Sequence, residues 1–210
     1  MGKTSTFKTV TTAALGTIAS ISPALAHHPL GGATPATFIE GLLSGIGHPI
    51  IGLDHLAFVV GVGLIALMLG RRFTLPLAFV GATIAGVAIH LASINLPAVE
   101  TVIALSVLLI GVLVVSGTKL PTLLFAALFA TAGLFHGFAY GEAIFGAETT
   151  PLLAYFLGFA AIQYAIAIGV GYVVQGFADL TERAMTNTRI AGGMVAGVGL
   201  VFAANALMPF

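Results

Sequence analysis

Six apolar runs, at residues 49–69, 73–92, 98–116, 121–140, 151–174 and 190–207, occupy most of the chain, and each is close to the ~20 residues that a helix needs to cross a bilayer. Lipid offers the backbone no hydrogen bonds, so such runs become helices that satisfy their own N–H and C=O groups. The sequence therefore predicts an all-α, polytopic membrane protein: a bundle of six transmembrane helices. Fifty-nine per cent of its residues are apolar and only 7% charged, which places it outside the soluble globular class. The connections are too short for a second core, so residues 27–210 are expected to form one domain.

The breaks between runs carry helix-end punctuation: Arg71 and Arg72, Asn95-Leu96-Pro97, Lys119 with Pro121, Glu148 to Pro151, and Asp179 to Arg189. Residues 27 to about 47 read as a polar leading segment. Residues 1–26 have the layout of a secretory signal peptide. Lys3 and Lys8 precede an apolar stretch from Val10 to Ile21, followed by the A-x-A site Ala24-Leu25-Ala26. Cleavage there would place a mature N-terminus, His27-His28-Pro29, on the outer side of a bacterial inner membrane.

Charge gives a second reading of orientation. With that N-terminus outside, the loops facing the cytoplasm hold Arg71, Arg72, Lys119, Arg183 and Arg189, all the basic residues after residue 26, as the positive-inside rule requires. The net charge is zero and the basic residues form no cluster, so nucleic acid is not an expected partner. The chain has no cysteine, which leaves any metal to nitrogen and oxygen ligands. Glycines at Gly41/Gly45, Gly137/Gly141 and Gly193/Gly197 have small-xxx-small spacing for close helix packing, and Gly61/Gly63 lie mid-helix.

Ionisable side chains inside such runs are expensive, about 2.5–3.5 kcal/mol each on insertion scales, and so mark function. Two strings concentrate them: His48-Pro-Ile-Ile-Gly-Leu-Asp54-His55 and Phe135-His136-Gly-Phe-Ala-Tyr-Gly-Glu142. On a straight helix His48 and His55 stand about 10 Å apart along the axis, too far to share one ion. Either Pro49 and Gly52 distort the helix, or the two imidazoles serve successive sites. The first helix runs inward and the fourth outward, so both strings fall in the outer half of the membrane. Imidazole with carboxylate suits nickel, cobalt or zinc, whereas calcium or magnesium would call for oxygen alone. His90 lies at a similar level. His27 and His28 could meet an ion arriving from outside. Gln163, Tyr164 and Asn205 read as interhelical hydrogen-bonding residues, and Glu40, Glu100 and Glu148 as solvated helix ends.

In H-x5-D-H, His48 to His55, and F-H-G-x-A-x-G-E, Phe135 to Glu142, the chain resembles the HupE/UreJ family of nickel/cobalt permeases associated with hydrogenase and urease maturation. The resemblance implies uptake of a divalent transition metal, with His48, Asp54, His55, His136 and Glu142 handling the ion. Cytoplasmic metal-trafficking proteins would receive it, and no prosthetic group is implied.

The chain has no Walker A sequence, so ATP is not its driving force. A membrane potential moves a divalent ion inward with about 4.6 kcal/mol per 100 mV, equivalent to a roughly thousandfold accumulation. Imidazole must be neutral to bind, so affinity is expected to fall as pH drops through about 6.5, the ordinary histidine value. Two other classes fit parts of the pattern. An intramembrane zinc hydrolase would use Glu142 as general base, but would also need oxyanion donors and a substrate cleft. A neutral-solute channel would not need two acidic ligands.

Overall fold

A computed structural model describes residues 33–176 and 181–208, which form seven helices. In chain order these are α1 (Phe38–Ile51), α2 (Leu53–Met68), α3 (Leu75–Leu91), α4 (Val99–Ser116), α5 (Thr122–Glu142), α6 (Thr149–Gly176) and α7 (Thr181–Leu207). The described residues contain no strand. The predicted signal peptide, with His27 and His28, lies outside the described residues.

The protein is a multi-pass membrane protein. Four helices are long and apolar enough to cross a bilayer: α4, α5, α6 and the Met185–Leu207 part of α7. Together α1 and α2 meet the same test as a pair bent by 79°. The apolar α3 has 17 residues, about 26 Å of helix against a hydrocarbon core of about 30 Å.

The largest departure from the sequence reading is at the start. The segment up to Gly47, expected to be a polar lead-in, is helical from Phe38. A capping box starts it. The Thr37 hydroxyl accepts from the Glu40 amide at 3.2 Å, and the Glu40 carboxylate accepts from the amides of Thr37 at 3.1 Å and Ala36 at 2.7 Å. Glu40 is thus a half-buried reciprocal cap and not simply a solvated helix-end charge. The first apolar run is not one helix but two, divided at Gly52. The boundaries of α4 and α5 follow their punctuation: α5 begins after Pro121, and α4 stops at Gly117, which closes it with φ +66°. The last helix does not, because α7 is already helical from Thr181, within the Asp179–Arg189 stretch read as a break.

Helix α2 is the axis of the bundle, touching α1, α3, α4, α6 and α7. Phe58, Val59, Val62, Leu64 and Ala66 along it are completely buried. Around it the closest pairings are α3 with α5, α4 with α7 and α1 with α6. Glycine makes each of them. A Cβ on Gly41 or Gly45 would strike the backbone of Pro151 or Tyr155 on α6, one on Gly86 the backbone of Leu134 on α5, and one on Gly199 the backbone of Leu108 on α4. Without a hydrophobic drive between helices in lipid, such backbone approach is the main source of packing energy. One glycine expectation fails: Gly193 and Gly197 face open space, and Gly192 and Gly199 make the contact with α4 instead. At 100° per residue, a one-position offset turns a glycine away from its neighbour. The outer surface is apolar too, with Leu77, Leu109, Leu123, Leu157 and Leu200 exposed as a lipid-facing helix requires.

Candidate metal-handling centre

The break at Gly52 builds the centre. Its ψ of 102° is extended, so α1 ends and α2 starts in a new direction, with the Gly52 carbonyl accepting the first α2 bond from the Leu56 amide at 2.8 Å. A β-carbon at Gly52 would stand 2.7 Å from the His55 ring and 3.3 Å from the Asp54 carboxylate, so only glycine fits. Pro49 lies in the last turn of α1, and it is Gly52 that marks the bend. The bend folds His48 back over His55, and their ring centroids are 5.7 Å apart. The two imidazoles meet because the helix is broken.

His136 on α5 completes a buried trio. Its Nδ1 lies 2.8 Å from Nδ1 of His55, with ring centroids 5.0 Å apart. All three imidazoles are fully buried, and Asp54 is 6% exposed. Asp54 accepts the His55 amide at 2.9 Å through Oδ1, an acidic side chain at the positive end of α2. Phe58 and Phe79 pack against His136 at 4.5 and 5.9 Å, walling the trio off with apolar rings.

Three residues that sequence reasoning did not single out belong to the centre. The Tyr140 ring stands edge-on to both His48, at 5.0 Å, and His55, at 4.6 Å. The Tyr155 hydroxyl on α6 donates to the Tyr140 carbonyl at 2.8 Å and lies 3.2 Å from His48 Nδ1. The Ser106 hydroxyl on α4 donates to the Ile103 carbonyl at 2.7 Å and lies 3.1 Å from His136 Nε2. Tyr140 stands inside the second histidine string, where its position beside His136 is a signal. Ser106 is a hydroxyl within an apolar run, a signal of an interhelical contact. Nothing in the spacing of Tyr155 points to His48.

Other predicted residues sit apart. Glu142 is exposed at the end of α5, six residues and about 240° of helix rotation from His136. His90 on α3 is half-buried against Phe138 and Phe145, at 4.6 and 5.7 Å. Gln163 is an interhelical hydrogen-bonding residue as expected, donating to Thr83 at 3.4 Å and to the Phe159 carbonyl at 3.0 Å. Tyr164 also bridges, donating to the Phe73 carbonyl at 2.9 Å, whereas Asn205 is exposed.

Two buried oxygens, the Tyr140 hydroxyl and Gln163 Oε1, have no hydrogen-bond partner among the described residues. Each such atom costs about 1–3 kcal/mol unless something satisfies it. No three His, Asp or Glu side chains among the described residues are grouped to enclose one ion. The centre brings together buried imidazoles from both sides of the break and from α5, the nearly buried Asp54 carboxylate and the Tyr140 phenol.

No solved structure matches the chain. A curated relative, Protein HupE of Rhizobium leguminosarum bv. viciae, is 35% identical over 187 residues, 87% of this chain and 93% of that protein. The model of the HupE / UreJ protein family matches residues 15–202, which include both histidine strings and every helix but the last turn of α7. The chain belongs to the HupE / UreJ family.

Proposed function

We propose that the protein carries a divalent transition metal ion, nickel or cobalt, inward across the bacterial cytoplasmic membrane, with His48, Asp54, His55 and His136 as the selecting centre. The observation that carries this reading is the break at Gly52, which gathers buried imidazoles from both of its sides against a third from α5. Burying this many ionisable groups in a lipid-embedded bundle is far more expensive than apolar packing of the same volume, so a passing cation is the economical explanation for them. Nitrogen donors favour the borderline metals over calcium or magnesium.

In this account the α1–α2 pair and α3 supply two crossings beside α4 to α7, making six, and the signal peptide delivers the N-terminus outside. His28, His27, His90 and the exposed Glu142 then lie toward the outer mouth, where they collect the cation. The ion gives up part of its water to His48 and His55, with the Asp54 carboxylate offsetting its charge. Entry is driven by the membrane potential, and release is completed by metal-binding proteins in the cytoplasm. The protein acts as a permease, not as an enzyme.

Uptake of radiolabelled nickel and cobalt into proteoliposomes with an inside-negative potential, with zinc as competitor, tests it. Saturable uptake that is lost in Asp54→Asn supports the reading, and uptake no faster than in empty liposomes refutes it.

A further inference from the structure

The hydrogen bonds around the trio fix where each imidazole carries its proton. Ser106 has one hydroxyl hydrogen, which it donates to the Ile103 carbonyl, so its oxygen can only accept from His136 Nε2–H. A neutral His136 with its proton on Nε2 presents Nδ1 as an acceptor, so His55 must donate Nδ1–H to it. The same logic runs on the other side. Tyr155 donates to the Tyr140 carbonyl and therefore accepts from His48 Nδ1–H. Both His48 and His55 are thereby held with Nδ1 protonated and Nε2 bearing the lone pair.

From this we infer that the three histidines do not share one role. His48 and His55 are the ligands, each through Nε2. His136 is a positioning residue with both ring nitrogens committed to protein partners, and Ser106 and Tyr155 anchor the two relays. The inference rests on the proposed metal transport and divides its labour. It has a chemical rationale: a partner on Nδ1 fixes both tautomer and ring direction and raises the basicity of the coordinating nitrogen. Loss of such a partner typically lowers metal affinity 10–100-fold. The two relays reach α2 and α1 from different helices, α5 with α4 on one side and α6 on the other. The broken α1–α2 segment brings the two ligands together, and the relays from the packed bundle fix the direction of each ring.

The test uses the full-length protein with 15N-labelled histidine in liposomes, without metal. Imidazole 15N shifts separate the two tautomers. The expected spectrum has His48 and His55 protonated on Nδ1 and His136 on Nε2, with the His136 and His55 assignments scrambled in Ser106→Ala and restored in Ser106→Thr. Finding His48 or His55 protonated on Nε2 overturns the inference whether or not the protein transports metal.

A second measurement counts imidazoles around bound Co2+ by X-ray absorption. Two are expected in the wild type and still two in His136→Asn, whose side-chain oxygen can accept from His55. His136→Asn is expected to bind about tenfold more tightly than His136→Ala. A count that falls by one in His136→Asn makes His136 a ligand and overturns the inference. A wild type that binds no Co2+ at all refutes the transport reading, while the tautomer spectrum still decides the hydrogen-bond relay.

Discussion

His55 and His136, 81 positions apart in sequence, share a 2.8 Å hydrogen bond between their Nδ1 atoms in a pocket with no exposure to solvent. That bond ties the first turn of α2, the axis of the bundle, to the far end of α5. Whatever moves either helix moves the centre. The consequences can be measured at the positions that hold this geometry.

Gly52→Ala is the smallest change that disturbs it. The added methyl would stand 2.7 Å from the His55 ring, closer than real contacts allow, so the ring must leave its present position. Nickel or cobalt affinity is expected to fall on the order of tenfold, the scale seen when a ligand loses its orientation. Isothermal titration of the detergent-solubilised protein reads the affinity. Near-wild-type thermal unfolding would locate the effect in the site.

Asp54→Asn separates charge from hydrogen bonding. The amide oxygen can still accept from the His55 amide, so the start of α2 is expected to hold. The negative charge that offsets the cation is gone, and uptake is expected to drop at least tenfold, about 1.4 kcal/mol. Initial rates of radiolabelled uptake in proteoliposomes, normalised to protein, check it.

Gly86→Ala tests the packing that brings His136 to α2. A Cβ there meets the Leu134 carbonyl oxygen and stands 2.7 Å from the Phe138 amide, so α3 and α5 must part. Overpacking of this kind is expected to destabilise by about 1–3 kcal/mol. Gly81→Ala, on the open side of α3, is expected to change stability little. Thermal unfolding of both variants in one detergent gives the comparison.

Much of this was legible in the sequence, and the parts that were not have physical causes. Hydropathy located the helices from α3 to α6 to within about two residues, because in lipid the apolar length itself defines the element. It missed α1, because α1 is begun by a local side-chain device, the Thr37–Glu40 capping box, whose S/T-x-x-E signal is visible but short. The second histidine string ran through to Glu142 on paper. Helical rotation leaves His136 inward and Glu142 exposed, a separation that spacing alone gives once the helix is known to continue to that residue. Tyr155 could not be found at all, since its contact with His48 depends on how Gly41, Gly45 and Gly158 let α1 and α6 approach.

Glu142→Gln follows from that exposure. The residue stands outside the buried trio, so its loss is expected to weaken capture at the mouth and leave binding within the centre intact. A KM for uptake raised severalfold, with equilibrium affinity near wild type, is the expected pair of readings from transport and titration.

The central claim is that the bend at Gly52 makes His48 and His55 serve one ion. A double-mutant cycle on nickel or cobalt affinity tests it directly, using His48→Ala, His55→Ala and the two combined. Ligands of one ion are strongly coupled, so the double variant is expected to bind little more weakly than the worse single variant. Losses that simply multiply, with no coupling between the two positions, would assign the histidines to separate sites and contradict the account.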